Sequence, residues 1–427
     1  SPRLNKAPKR KSRFRPTDEA ILAHDFLQAI RLCDQGIQAA DEDAAAFLRM
    51  KVHLLLRIGD WSAVRDACRE ILVENNLAWA RMALGKALYR LKGYAEAQTV
   101  FQGVIAEHEL VLDAYDWLAR TQSAQGDDLA ALEVLKQAAQ RSPFVINRQR
   151  DLGELAWRGG DLATAQLALE ETVRLSRYSF WRDPVDQARL GQVQLAQGDL
   201  IAARKTAAEL RKVFKDGAAG LLADTLDAEV WLRQGESKKA RDVLDLALQS
   251  MAGMQEPPAP AIGLVLASAC LHQQRSDVAD QLIRTVLKNS HDDPAVQERV
   301  RDAYRRAGQE DKAQQLIAQV TQDIVSLNNE AVRMAQAGEL GAAAEHFIKA
   351  VADMPANVLV LINAANALLA CVNRDGWHET YMRQAWEYLA RIQEIDPDNG
   401  RALQLTEIHR RLVARLGPQN RGGTAHP

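Results

Sequence analysis

Apolar residues recur along this chain at the three-to-four-residue spacing of amphipathic helices, and the helical stretches come in pairs. The stretch "GDLATAQLALEETV" at 160–173 is echoed by "GDDLAALEVLKQAA" from Gly126, "GDLIAARKTAAELR" from Gly198 and "GELGAAAEHFIKAV" from Gly338. Aligning the echoes exposes a register. A small residue is followed twelve positions later by another small residue, and four positions after that by an apolar one. Gly85/Ala97/Phe101, Ala119/Ala131/Leu135, Gly153/Ala165/Leu169, Gly191/Ala203/Ala207, Ala228/Ala240/Leu244, Ala267/Ala279/Ile283 and Ala331/Ala343/Phe347 follow it. Weaker copies run through Ala29/Cys33, Val64/Cys68, Ala313/Ile317 and Ala385/Leu389. Successive anchors stand 33 to 39 residues apart, with spacings of 30 and 42 near the C-terminus.

Each element of the register has a physical task. Gly59, Gly126, Gly160, Gly198, Gly235, Gly308 and Gly338 suit the left-handed position that ends a helix. Asp60, Asp127, Asp161 and Asp199 follow directly and can cap the next helix. The small residues let two helices approach closely, and the apolar residue four later packs into the same seam. One such hairpin cannot bury its apolar face, whereas stacked copies share a continuous core. The prediction is an all-α array of about eleven stacked hairpins from Phe14, closed by a capping helix in "NGRALQLTEIHRRLVARL" (399–416).

The order of small, Gly, small and aromatic or Leu positions resembles the tetratricopeptide repeat, with Pro143, Pro355 and Pro397 at its closing Pro. The resemblance covers almost the whole chain and implies an all-α, right-handed superhelix of tetratricopeptide-like hairpins that acts as a binding scaffold rather than an enzyme. A boundary reading follows: 1–13 a basic linker, 14–254 an N-terminal block, 255–261 a Pro-rich joint, 262–416 a C-terminal block with its cap, and 417–427 a disordered tail. A narrower resemblance lies in "KRKSRFRPTDEAILAHDFLQAIRLCDQGI". Through Arg10, Lys11, Arg15, Pro16, Asp25, Ala29, Ile30, Cys33 and Asp34 it looks like the junction after the receiver domain in two-component response regulators with such repeats. No receiver is present in this chain. The chain begins at Ser1 rather than Met, which leaves room for upstream sequence.

The resemblance also places the first helix of each hairpin on the concave face. The inward positions then carry Arg49, His53 and Arg57; Lys86 and Arg90; Arg120; Arg150, Glu154, Trp157 and Arg158; and Arg189. Cations recur at the end of these helices, at Arg57, Arg90, Arg158, Arg233, His272 and Arg306, where the helix dipole alone would favour them. From Arg49 to Arg158 other inward positions are basic too, so that stretch is expected to grip an acidic peptide or helix, with Trp157 as aromatic anchor. Asn329 and Asn363 occupy the position from which the repeat family bonds an extended peptide. Two insertions break the period. "SRYSFWRDPVD" (176–186) carries Trp181, and "CVNRDGWHETYMRQAW" (371–386) carries Trp377 and Tyr381; these residues are expected to contact a partner or a second copy.

Composition and charge narrow the rest. With 427 residues, 5% aromatics and a net charge of -2, the chain has no global attraction for nucleic acid or anionic membrane. The seven basic residues from Arg3 to Arg15 could neutralise phosphates, which keeps a nucleic-acid adaptor as a third reading, yet no nucleic-acid-reading module follows them. Cys33, Cys68, Cys270 and Cys371 form no C-x-x-C pair, and the nine histidines form no catalytic or metal signature. No catalytic residue, metal or cofactor is expected. The longest apolar stretch noted, "AIGLVLASACL" (261–271), is too short to span a bilayer, so a cytoplasmic protein is expected. The partners anticipated are a protein, such as a histidine kinase or another signalling protein, and a homodimer, with no membrane.

Overall fold

In the computed structural model the described residues, 12–255 and 258–418, form 22 α-helices and no strand. In chain order they are α1 (Arg15–Leu22), α2 (Phe26–Gln38), α3 (Ala44–Ile58), α4 (Trp61–Glu74), α5 (Ala78–Arg90), α6 (Tyr94–Glu107), α7 (Leu112–Ala124), α8 (Asp128–Arg141), α9 (Ile146–Arg158), α10 (Leu162–Ser176) and α11 (Pro184–Ala196). There follow α12 (Leu200–Val213), α13 (Gly217–Arg233), α14 (Ser237–Ala252), α15 (Pro260–His272), α16 (Ser276–Ser290), α17 (Pro294–Arg306), α18 (Glu310–Gln336), α19 (Leu340–Asp353), α20 (Val358–Asp375), α21 (Glu379–Ile395) and α22 (Gly400–Leu416). This is an all-α helical repeat array. It divides into two compact units: unit 1 holds Ser1–Glu109, Met334–Ile348 and Val358–Pro427, and unit 2 holds Leu110–Arg333 and Lys349–Asn357. The Pro-rich segment 255–261 lies inside unit 2 and includes the first two residues of α15, and 256 and 257 lie outside the described residues. So do 1–11, most of the basic leader, and 419–427, most of the tail.

The turn between paired helices is the predicted one. Gly198 takes φ +80°, and the Asp199 amide donates back to the Gln194 carbonyl at 2.9 Å. The Asp199 carboxylate then accepts from the Ala202 amide at 2.9 Å and caps α12. Asp60, Asp127 and Asp161 cap α4, α8 and α10 in the same way. Replacing Asp199 with Ala should cost about 1 kcal/mol through the lost cap, read as a lower urea midpoint. The same turn forms where the sequence offers no glycine. Lys92 and Gln274 adopt φ +63° and +58°, and Gly93 and Arg275 donate back to Leu88 and Cys270 at 2.8 Å. Packing of the two helices imposes this geometry despite the steric penalty on a side chain.

Between paired helices the anchors meet as expected. Ala97, Phe101, Ala131, Ala165, Ala203, Ala240, Leu244, Ala279 and Ile283 are fully buried. In unit 2, one core gathers Leu135, Leu152, Trp157, Leu169 and Val193, and a second gathers Leu210, Leu222, Leu226 and Leu266. In unit 1, the last helix, α22, returns to the first hairpins. Asp398, just before it, accepts from Arg57 Nε at 2.9 Å, across 341 positions of sequence. A Cβ at Gly400 would stand 2.9 Å from the Ile58 carbonyl oxygen.

Two elements differ from the sequence-based expectation. The second helix of one hairpin and the first of the next run together as α18, 27 residues long. The 30-residue spacing from Ala313 to Ala343 explains this: the connecting loop is missing, and 310–336 contains no Gly or Pro to stop the helix. The second is α20, which has the length and apolar composition to cross a bilayer. Its residues Leu361, Ala364, Leu368 and Val372 are buried, so its apolar character serves packing against α21 and α22 in unit 1.

Candidate functional site

The inward faces of the first helices hold most of the predicted residues, and the two units treat them differently. In unit 1, Arg49 on α3 lies over the Trp79 ring, 5.3 Å from its centroid. His53, one turn on, meets the same indole edge-on at 6.0 Å. Partial burial and the nearby charges of Arg49 and Lys86 push the His53 imidazole below its usual pKa. Arg90 lies over Trp61 at 5.2 Å. Arg57 lines the same surface pocket as Arg49 and His53, pairs with Asp398 and covers the Phe26 ring at 4.5 Å. Arg49 and Lys86 thus stand near His53, with Trp79 as an aromatic platform, across α3 and α5, an arrangement suited to an anionic group.

In unit 2 the basic residues are engaged by acids, all but that of Arg158 on the neighbouring first helix. Arg120 bonds Asp151 at 3.1 Å, and Arg148 grips Asp116 through both its Nε and an Nη at 2.8 Å. Arg150 grips Asp186 at 2.7 Å with both nitrogens and reaches the Trp181 carbonyl. Arg189 holds Glu154 at 2.9 and 3.0 Å. Arg158 bonds Asp128 and the Ser123 hydroxyl, and only 8% of its side chain is exposed. The open basic track expected at Arg120, Arg150 and Arg158 is therefore a ladder of ion pairs. Burial pushes the carboxyls of Asp151 and Asp186 up, against the pull of Arg120 and Arg150. Burial would do the same to Glu154, but Arg189, Arg299 and Arg158 overcome it and hold that group at about 2.

Trp157 is buried as well, at 7% exposure, and so is no surface anchor. Arg189 and Arg306 both lie over its ring, at 5.2 and 4.0 Å from the centroid. Arg306 also donates to the Trp157 carbonyl at 2.6 Å, and Arg299 approaches Glu154 at 3.5 Å. Thus α17 is tied to α9 across the interior of unit 2. Beside these ties lies a cavity of about 70 Å³ bounded by Trp157, Arg189, Glu229, His272, Arg299 and Arg306. The carboxyl of Glu229 bonds His272 Nδ1 at 2.9 Å, and this bond raises the His272 pKa.

The remaining predicted residues are spread out. Asn329 is exposed in unit 2 and Asn363 half-buried in unit 1. Trp377 donates to Glu379 at 2.9 Å, and Tyr381 donates to Glu345 at 3.2 Å while stacking on His378; both are half-buried. The other insertion projects outward, with Phe180, Tyr178 and Trp181 at 97, 93 and 67% exposure. All four cysteines are buried and free, and burial pushes Cys33, Cys68 and Cys270 up to about 11, 12 and 11, far from nucleophilic thiolates.

Of the acids that hold these arginines, Glu154 was expected at an inward position, whereas Asp116, Asp151 and Asp186 were not. The signal was available: Arg120 and Asp151, Asp116 and Arg148, Glu154 and Arg189, and Arg150 and Asp186 stand 31, 32, 35 and 36 residues apart, one repeat in each case.

No protein-family model matches the sequence, and no curated protein matches it. Among solved structures the chain is similar to a tetratricopeptide repeat protein from Parabacteroides merdae, at 12% identity and a TM-score of 0.44 over 63% of this chain and 99% of that one. It is also similar to the C-terminal part of a TPR repeat-containing protein from Cytophaga hutchinsonii, at 12% identity and a TM-score of 0.42 over 59% and 98%. A third is pilF of Pseudomonas aeruginosa, at 16% identity and a TM-score of 0.33 over 55% and 97%. The repeat fold described above is read from this chain's own helices and turns.

Proposed function

We propose that the chain is a non-catalytic protein-binding scaffold that takes an acidic segment of its partner on the α3 and α5 face of unit 1. The observation that carries this reading is the grouping of Arg49, His53 and Lys86 with Trp79, close enough for the two cations to depress the His53 pKa. Unit 2 offers less, because its arginines already hold carboxylates. The N-terminal resemblance supports a two-component setting, with the array as a response-regulator output region and a histidine kinase or other signalling protein as partner. Within it, Asp25 caps α2 and Ala29 and Cys33 are fully buried, while Arg10 and Lys11 lie outside the described residues.

A fluorescein-labelled hepta-glutamate peptide, followed by anisotropy, tests the reading. Arg49→Glu with Lys86→Glu should weaken its binding at least tenfold. An anion beside His53 raises the imidazole pKa again, so binding takes up a proton and affinity should rise as pH falls from 7.5 to 5.5. His53→Ala should flatten that slope. A peptide that binds both proteins equally, or neither, removes this face as the site.

A second reading, self-association, is favoured by Phe180, Tyr178 and Trp181, whose exposure is unusual for aromatic side chains. It predicts a concentration-dependent mass in sedimentation equilibrium that serine at the three positions abolishes.

A further inference from the structure

We propose that the interior cavity of unit 2 binds a small carboxylate bearing a hydrogen-bond donor beside the carboxylate group, of the hydroxy- or amino-carboxylate class. Two residues that line this cavity each carry a buried polar atom without a partner. Trp157 Nε1 has a proton to donate and no acceptor, and Glu229 Oε1 has no donor, although its other oxygen is held by His272. Both residues are 7% exposed. Buried groups of this kind are normally satisfied, and leaving one bare costs stability, so the pair describes what fits between them: an acceptor and a donor on one molecule.

Charge selects a carboxylate group. Arg189, Arg233, Arg299 and Arg306 line the cavity, against Glu229 and Asp302 on its wall and Glu154 behind Arg189. Four cations against three carboxylates leave one positive charge over, before any protonation of His272. The surplus has a location. Arg189 and Arg306 are committed to Glu154 and Asp302 at 2.9 Å, Arg299 reaches Glu154 only at 3.5 Å, and Arg233, exposed at the rim, makes no ion pair among the described residues. Leu226, Leu264 and Val265 supply an apolar wall. Size completes the description. A water needs roughly 10–15 Å³ on the same measure, so 70 Å³ holds about five to seven non-hydrogen atoms. L-lactate and L-alanine have that size, a carboxylate, one donor group and a methyl for the apolar wall. They differ in whether the donor is a hydroxyl or an ammonium.

The site lies in unit 2 and does not depend on the acidic-segment reading of unit 1. Isothermal titration of the full chain with L-lactate, L-alanine, acetate and lactamide tests it. One equivalent of lactate or alanine should bind, and which of the two does so identifies the donor. Acetate, lacking the donor, and lactamide, lacking the charge, should each bind at least tenfold more weakly. Glu229→Gln, which keeps the shape, and Trp157→Phe should each weaken binding at least tenfold. Should Trp157→Phe fail to fold, Glu229→Gln and Arg233→Gln carry the test. Equal binding of acetate and lactate, or binding indifferent to Glu229→Gln, would overturn the proposal in favour of a loose anion site. No heat with any of the four would mean that the cavity holds only water.

Discussion

Replacing Glu154 by glutamine should destabilise unit 2 by about 3 kcal/mol at pH 7, and the loss should shrink steadily as the solution is acidified. The carboxylate is reached by Arg189 at 2.9 Å and Arg299 at 3.5 Å, and its side chain is only 17% exposed. Against the cost of burial, these cations and Arg158 hold its pKa at about 2, from an ordinary 4.5. A folded pKa below the unfolded one contributes stability that is fully present above pH 4.5 and lost as pH falls through the interval toward 2. About 2.5 pKa units at 1.36 kcal/mol each gives the expected size. The amide keeps the shape and leaves two partly buried guanidinium groups without their anion, a change of the kind that costs several kcal/mol. Urea unfolding of wild type and Glu154→Gln at pH 7, 5, 4 and 3 checks it. A difference that stays constant across the series would mean the carboxylate's charge is not what ties α9 to α11 and α17.

Gly85→Ala should destabilise unit 1 by about 1–2 kcal/mol, although alanine is the better helix former by about 1 kcal/mol. A Cβ at Gly85 would lie 2.5 and 2.6 Å from two atoms of the Phe101 ring, which is itself fully buried and cannot swing away. Overpacking of this kind costs about 1–3 kcal/mol, enough to outweigh the gain in propensity. Gly220 is the counter-case. It lies in α13 with nothing within 4 Å of an added Cβ, so Gly220→Ala should stabilise by about 0.5–1 kcal/mol. Phe101→Leu should make Gly85→Ala nearly neutral, because it removes the ring the methyl would strike. Thermal melts of the two single variants and the Gly85/Phe101 double variant decide the matter. If Gly85→Ala stabilises the protein, the close seam between α5 and α6 is wrong.

These two glycines also mark how far a linear reading reaches. That Gly85 stands opposite Phe101 was legible, because a helical hairpin brings together residues sixteen positions apart in every copy. The same local logic reached the Gly198 turn, the Asp199 cap and the start of α22 at Asn399, whose side chain caps it. The expected number of hairpins, with a helix to close them, matches the order of elements. Even the fusion in α18 had its trace in the 30-residue spacing and the missing breaker.

The inward charges were a harder matter. Whether Arg150 faces a ligand or Asp186 depends on which residues of the next repeat come within 3 Å, and that is set by the stacking angle of successive hairpins. A sequence lists candidates for each sign of charge but carries no distances, so Arg150 and Arg158 read as free cations until their acids were seen beside them. Longer reaches, such as the pairing of Arg57 with Asp398 in unit 1, had no local trace at all. The bond from Arg306 to the carbonyl of Trp157, 149 positions away, comes from the stacking of successive hairpins within unit 2. Local periodicity governs each helix pair because its contacts are made by neighbours in the chain. The cavity beside Trp157 exists because small rotations from one hairpin to the next add up, and only the folded unit 2 contains their sum.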